Sequence, residues 1–194
     1  DSIIPKQYVD YLKAIEPQGD LLYNRISPLR ERASLESPLI DLLGVKYVLT
    51  ENTIDTPGFE PAGQFGALRV YRNTRVVSRA YSMAATSTLP PDPTLSLDNW
   101  FAVAIQRFDP RHYVIVDSAA ACAAEACAPA SPSDPQPAVI TAYSAGEAWI
   151  DAQTGVGREW LILNDSHFPG WRAWVRPQGG DDSSEIEVPI HLVN

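Results

Sequence analysis

Apolar positions recur at helical spacing near the start of the chain and at alternating spacing through its second half. Tyr8, Tyr11, Leu12 and Ile15 fall on one face of a helix over residues 5–15, with Pro5 in its first turn. Glu16-Pro17-Gln18-Gly19 ends that helix. Residues 21–35 carry Arg25, Arg30, Glu31 and Arg32 across any apolar face and read as an irregular connection. Ser37 then caps a short helix: Pro38 fits its first position, Leu39, Ile40, Leu42 and Leu43 supply an apolar face, and Gly44 suits a left-handed stop. Residues 45–50 follow as a strand, and residues 68–71 as a second, across a Pro/Gly-rich loop.

Residues 76–84 read as extended. Pro90, Pro91 and Pro93 mark a loop, Ser96 caps a helix near residues 96–106, and Asp109-Pro110 stops it. Residues 112–116 form a β-branched strand. The Ala/Pro/Ser-rich run 118–137 has little to bury and reads as a flexible surface excursion. After it the pattern is all strand: 138–143, 147–152, 159–163, 171–175 and 186–192, separated by Gly-containing turns. This spacing predicts a mainly β chain with some α. Residues 1–75 would make a small α/β portion, and residues 76–194 a β-sandwich or jelly-roll-like domain.

Composition narrows the function classes. The chain has 194 residues, enough for a proper core, with 45% hydrophobic and 20% charged residues. Its net charge is −9, from 24 acids against 15 bases, without the Lys/Arg stripe that phosphate binding needs. Nucleic acid is therefore excluded as an expected partner, and the same acidity disfavours anionic lipid headgroups. There is no apolar run of bilayer-spanning length and no signal peptide, and residue 1 is Asp. The chain reads as a soluble piece of a longer protein whose targeting or anchoring segments lie elsewhere. Cys122 and Cys127, in Cys-Ala-Ala-Glu-Ala-Cys, suit either a local disulfide of an oxidising compartment or two free thiols. Zinc would need further ligands at metal spacing.

Two stretches carry a resemblance. The run Ser37-Pro38-Leu39-Ile40-Asp41-Leu42-Leu43-Gly44-Val45-Lys46-Tyr47-Val48-Leu49 resembles an element of the YfhO family. These are bacterial multi-pass membrane proteins related to polyprenol-phosphate-sugar glycosyltransferases. The run from Trp160 to Val175, with Asp165, His167, Phe168 and Pro169-Gly170-Trp171, is similar to an element near that family's C-terminus. Leu68–Asn73 and Val77–Tyr81 match it in type and order. The resemblance implies a region that follows the membrane helices and faces outside the cytoplasm. It also implies that the catalytic loops lie elsewhere in the parent, and that further strands follow Asn194.

The densest candidate chemistry is Asp165, His167, Phe168, Trp171 and Trp174. In one reading it is a sugar platform, with aromatic faces stacking on pyranose rings and Asp165 and Asn164 bonding hydroxyls. In the other, which takes precedence, Pro169-Gly170 is a turn with glycine at positive φ, Trp171 anchors it in the core and Asp165 ties its backbone. Trp171 and Trp174 are an odd number of residues apart, so on one strand they face opposite sides. Ligand contact then falls to Asp165, His167 and Trp174. Hydrolysis would need a nucleophile with a base, or paired carboxylates; Ser144 lacks a nucleophile elbow, and His112, His167 and His191 fall in separate elements.

The expectation is thus a non-catalytic extracytoplasmic domain without cofactor or metal, partnered by the rest of its membrane protein and by a glycan acceptor. An independent carbohydrate-binding module and a secreted hydrolase are the alternatives.

Overall fold

The computed structural model describes residues 6–16, 29–118, 130–155, 157–165, 167 and 169–194. Among them the chain is mainly β, with few short helices and several small, mostly antiparallel sheets. It divides into two compact units, Asp1–Arg79 and Ala80–Asn194. No helix among the described residues is long and apolar enough to cross a membrane. Cys122 and Cys127 lie outside the described residues, as does most of the 118–137 excursion.

The first unit holds helices α1 (Lys6–Ile15) and α2 (Pro38–Leu42) and strands β1 (Tyr47–Thr50), β2 (Phe59–Phe65) and β3 (Leu68–Asn73). Ser37 Oγ accepts from the Leu39 N–H at 3.3 Å, Pro38 opens α2, and Gly44 stops it at φ 75°. The strands pair antiparallel in the order β1-β3-β2. The sequence pattern places residues 59–65, the span of β2, in a Pro/Gly-rich loop, because they include Pro61 and Gly63. Its position explains the exception: β2 is an edge strand, and its register shifts between those two residues, so the proline interrupts no central ladder. Ile40, Phe59 and Tyr71 form the core, packed by Leu35, Val45 and Val48. Burying each such side chain contributes about 1.5–3 kcal/mol.

A polar joint locks this unit. Asp41 is fully buried; its carboxylate accepts from Asn73 Nδ2 at 2.8 Å and lies 3.4 Å from Arg75 Nε. Arg75 also donates to the Leu35 carbonyl at 2.9 Å, and the Val77 N–H donates to the Asp41 carbonyl at 3.0 Å. These bonds tie the segment after β3 back to α2. Glu16, at the end of α1, is a second anchor. It accepts from the Ser34 hydroxyl at 2.7 Å and from the N–H groups of Arg30 and Glu31.

The second unit holds β4 (Ala80–Ala84), β5 (Thr88–Leu89), α3 (Leu97–Arg107), β6 (Val114–Ile115), β7 (Gln136–Pro137), β8 (Val139–Tyr143), β9 (Ala148–Asp151), β10 (Glu159–Leu163), β11 (Ala173–Val175) and β12 (Ile186–Val188). Its sheets are β10-β4-β7, β8-β9, β11-β12 and the parallel pair β5-β6. In that pair α3, capped by Ser96, crosses over between two short strands running the same way. Trp100 and Ala104 of α3 pack on Leu89 and Ile115. Asn194 is stitched beside β6, its Oδ1 accepting from the Ile115 N–H at 2.8 Å and its own N–H donating to the Ile115 carbonyl at 2.9 Å.

Candidate functional site

The hairpin β11-β12 positions Trp174. Glu187 lies directly across from it in register, and on one face of the hairpin these two are joined by Arg172. The Arg172 guanidinium sits 4.9 Å from the Trp174 ring centre and grips Glu187 with two bonds of 2.8 and 2.7 Å. The pairing holds the Glu187 carboxyl below its ordinary value through the hydrogen bonds from Arg172. The forked bond orients the guanidinium plane against the carboxylate, with the Trp174 ring beneath it. Trp174 stays 49% exposed, which leaves part of its π surface open beside charged hydrogen-bonding groups.

A parallel arrangement lies just beyond β11. Arg176 bonds Asp182 at 2.7 Å and Glu185 at 3.3 Å, and its guanidinium covers the Trp149 ring of β9 at 5.1 Å. Trp149 is 42% exposed. Two half-open indole rings, each backed by an arginine that carboxylates hold, are therefore displayed on this unit.

The other sequence-chosen residues are placed as follows. Asp165 follows β10; it is exposed, and it accepts a 2.5 Å hydrogen bond from the Tyr143 hydroxyl at the end of β8. His167 is half-buried. Pro169 and Gly170 lie in a turn, with Gly170 at φ 102°. Trp171 is half-buried, and Ser166 and Phe168 lie outside the described residues. The residues taken together as one cluster thus engage different hairpins: Asp165 the β8 end, Trp174 its own strand pair.

Sequence reasoning missed Arg172, Glu187, Arg176, Trp149 and Tyr143. Arg172 was within reach of it, because residues two apart on a strand share a face. Trp149 and Tyr143 meet their partners only through tertiary folding.

The histidines disperse. His112 Nδ1 lies 3.1 Å from Asp134 Oδ1, and His191 packs edge-on against Trp160 at 5.7 Å. Among the described residues no three His, Cys, Asp or Glu side chains are grouped to hold a metal ion. Around Trp174 the structure offers π surface, the N–H donors of Arg172 and the carboxylate of Glu187.

No protein-family model, no curated protein and no solved structure matches the chain.

Proposed function

We propose that this chain is a non-catalytic, extracytoplasmic domain of a YfhO-like bacterial membrane protein related to polyprenol-phosphate-sugar glycosyltransferases. Its role is to recognise and position a glycan acceptor. The observation that carries the binding part is Trp174, a half-exposed ring braced by Arg172 and Glu187. A sugar ring offers axial C–H groups to an aromatic face and hydroxyls to fixed donors and acceptors, and this hairpin presents both without reorganisation. The same observation favours a second reading, an independent carbohydrate-binding module without a membrane parent.

The membrane part rests on the resemblance. What supports it is that the resembling residues have assignable structural work: Ser37, Pro38 and Gly44 delimit α2, and Asp41 bonds Asn73, the last residue of the matching run Leu68–Asn73. The β-sandwich of the second unit belongs to the proposal as well. Its support is the run 136–143, whose first residues pair with β4 and whose last pair with β9. Strands that pass from one sheet to another make the corners of sandwiches.

The two readings separate by topology. Protease added outside spheroplasts of the native bacterium should release this domain from its membrane anchor. Release only after lysis would contradict an extracytoplasmic location, and recovery of the domain free in the medium would favour the independent module.

A further inference from the structure

Arg172, Trp174 and Arg176 alternate along β11 and its flanks, so their side chains leave the same face of the hairpin. The register sets Glu187 across from Trp174. One step further along the hairpin, Glu185 meets Arg176 at 3.3 Å. Trp149 joins this row from β9, with its ring 5.1 Å from the Arg176 guanidinium. Each indole thus lies against its own arginine, Trp174 against Arg172 and Trp149 against Arg176. Those two arginines are four positions apart, roughly 13 Å at the usual rise per strand residue. The rings are therefore two separate platforms at successive places along one face, and each keeps nearly half of its surface open.

The charges on this face are already spent. Arg172 is held by both oxygens of Glu187, and Arg176 by Asp182 and Glu185. Three carboxylates stand against two guanidiniums, so neither guanidinium is left to meet a uronate or phosphate group. An anion that approached the rings would meet like charge.

We infer that Trp174 and Trp149 are two subsites of one face, spanned by a single neutral oligosaccharide. This rests on the glycan reading proposed above and deepens it, from one ring that stacks one sugar to a surface that selects for chain length and against negative charge. A pyranose stacked on Trp174 delivers a later sugar of the same chain to Trp149. That second contact is intramolecular, so it adds affinity without a second loss of translational freedom.

The test is calorimetric titration of the whole chain with chitin-type N-acetylglucosamine oligomers, from monomer to hexamer. Their equatorial substituents leave an unbroken C–H face on each ring. The hexamer should bind at least about tenfold more tightly than the monomer. Trp149→Leu, which keeps an apolar side chain beneath Arg176 but removes the flat π surface, should lose that gain. A hexamer whose primary hydroxyls are oxidised to carboxylates should bind at least about tenfold more weakly than the neutral one. In NMR spectra of the unmodified chain, the neutral hexamer should move the indole N–H resonances of Trp149 and Trp174 with one shared Kd. The inference is overturned, with the glycan reading left standing, by any of four results: a hexamer that binds no tighter than the monomer, an unchanged gain in Trp149→Leu, an oxidised hexamer that binds as well, or a hexamer that moves Trp174 alone. If no oligomer binds, the glycan reading falls and this inference falls with it.

Discussion

The Asn73 side-chain amide donates a 2.8 Å hydrogen bond to the carboxylate of Asp41, joining the end of β3 to a helical residue with no exposed surface. Asn73 also donates to the Val45 carbonyl and accepts from the Arg75 N–H, so one side chain serves three segments. Removing it takes one hydrogen bond from a buried carboxylate that Arg75 still faces, and leaves a gap among three buried segments. Asn73→Ala should lower unfolding free energy by about 3 kcal/mol in urea titration. Asn73→Asp should cost more, because a second carboxylate would face the first. A midpoint unchanged in either variant would contradict the structural importance given to this joint.

Gly58 tests the same joint from outside. It adopts φ 88°, and a Cβ there would lie 2.5 Å from Arg75 Nε. Arg75 has little freedom to yield, being bonded to Leu35 and facing Asp41 and the Phe59 ring. Gly58→Ala should therefore cost roughly 2–3 kcal/mol. Gly66→Ala, at positive φ in open space, should cost only the backbone share, about 1 kcal/mol. Equal losses in thermal or chemical melts would show that Arg75 is not held in place.

Stability should fall at both ends of the pH scale for identifiable reasons. The Ser34 hydroxyl, followed by the Glu31 and Arg30 N–H groups, holds the Glu16 carboxyl below its ordinary value, outweighing its partial desolvation. A depressed carboxyl stabilises the fold fully above its unfolded value of about 4.3 and loses that contribution as pH falls through the folded value. The difference in denaturation midpoint between the parent and Glu16→Gln should be widest near neutrality and should close on acidification. A constant difference would contradict the assignment.

At the alkaline end, burial pushes the Tyr81 hydroxyl up to about 12, with a hydrogen bond from Asn194 opposing the shift. A raised tyrosine contributes stability that is fully present below its unfolded value of about 10 and is lost as pH rises through the folded one. Unfolding free energy should fall by up to about 2–3 kcal/mol across that window. Tyr81→Phe should flatten the slope. The same slope in the variant would place the alkaline sensitivity elsewhere.

Local signals made part of this fold legible. Ser37, Pro38 and Gly44 announce α2 because a cap, a first-turn proline and a left-handed stop act within a few residues. Ser96 marks α3 in the same way. The β2 strand was hidden, since Pro61 and Gly63 are tolerated only at a bulged edge, and edge status is a property of the sheet. The parallel β5-β6 pair was hidden too. Two-residue strands carry no periodicity, and their pairing depends on a crossover through α3. At the candidate site, alternation could separate Trp171 from Trp174. It could not foresee that Arg176 would reach Trp149, or Tyr143 Asp165.

Trp174→Ala separates binding from stability. The ring is half-exposed, and its contact with Arg172 is worth about 0.5–1 kcal/mol at such a site. The variant should melt within a few degrees of the parent yet lose saccharide binding. Arg172→Met should weaken binding less, since it frees the ring without removing it. A collapse of the fold in Trp174→Ala would mark the ring as structural.

The central claim is that the Trp174 hairpin receives a sugar, and an NMR titration of the indole N–H resonances with bacterial cell-envelope glycans tests it most directly. Assigned by its absence from Trp174→Ala, the Trp174 resonance should move saturably with added glycan while that of the buried Trp100 stays fixed. A Trp174 resonance that moves with none of the glycans, in a chain that remains folded, would contradict the account.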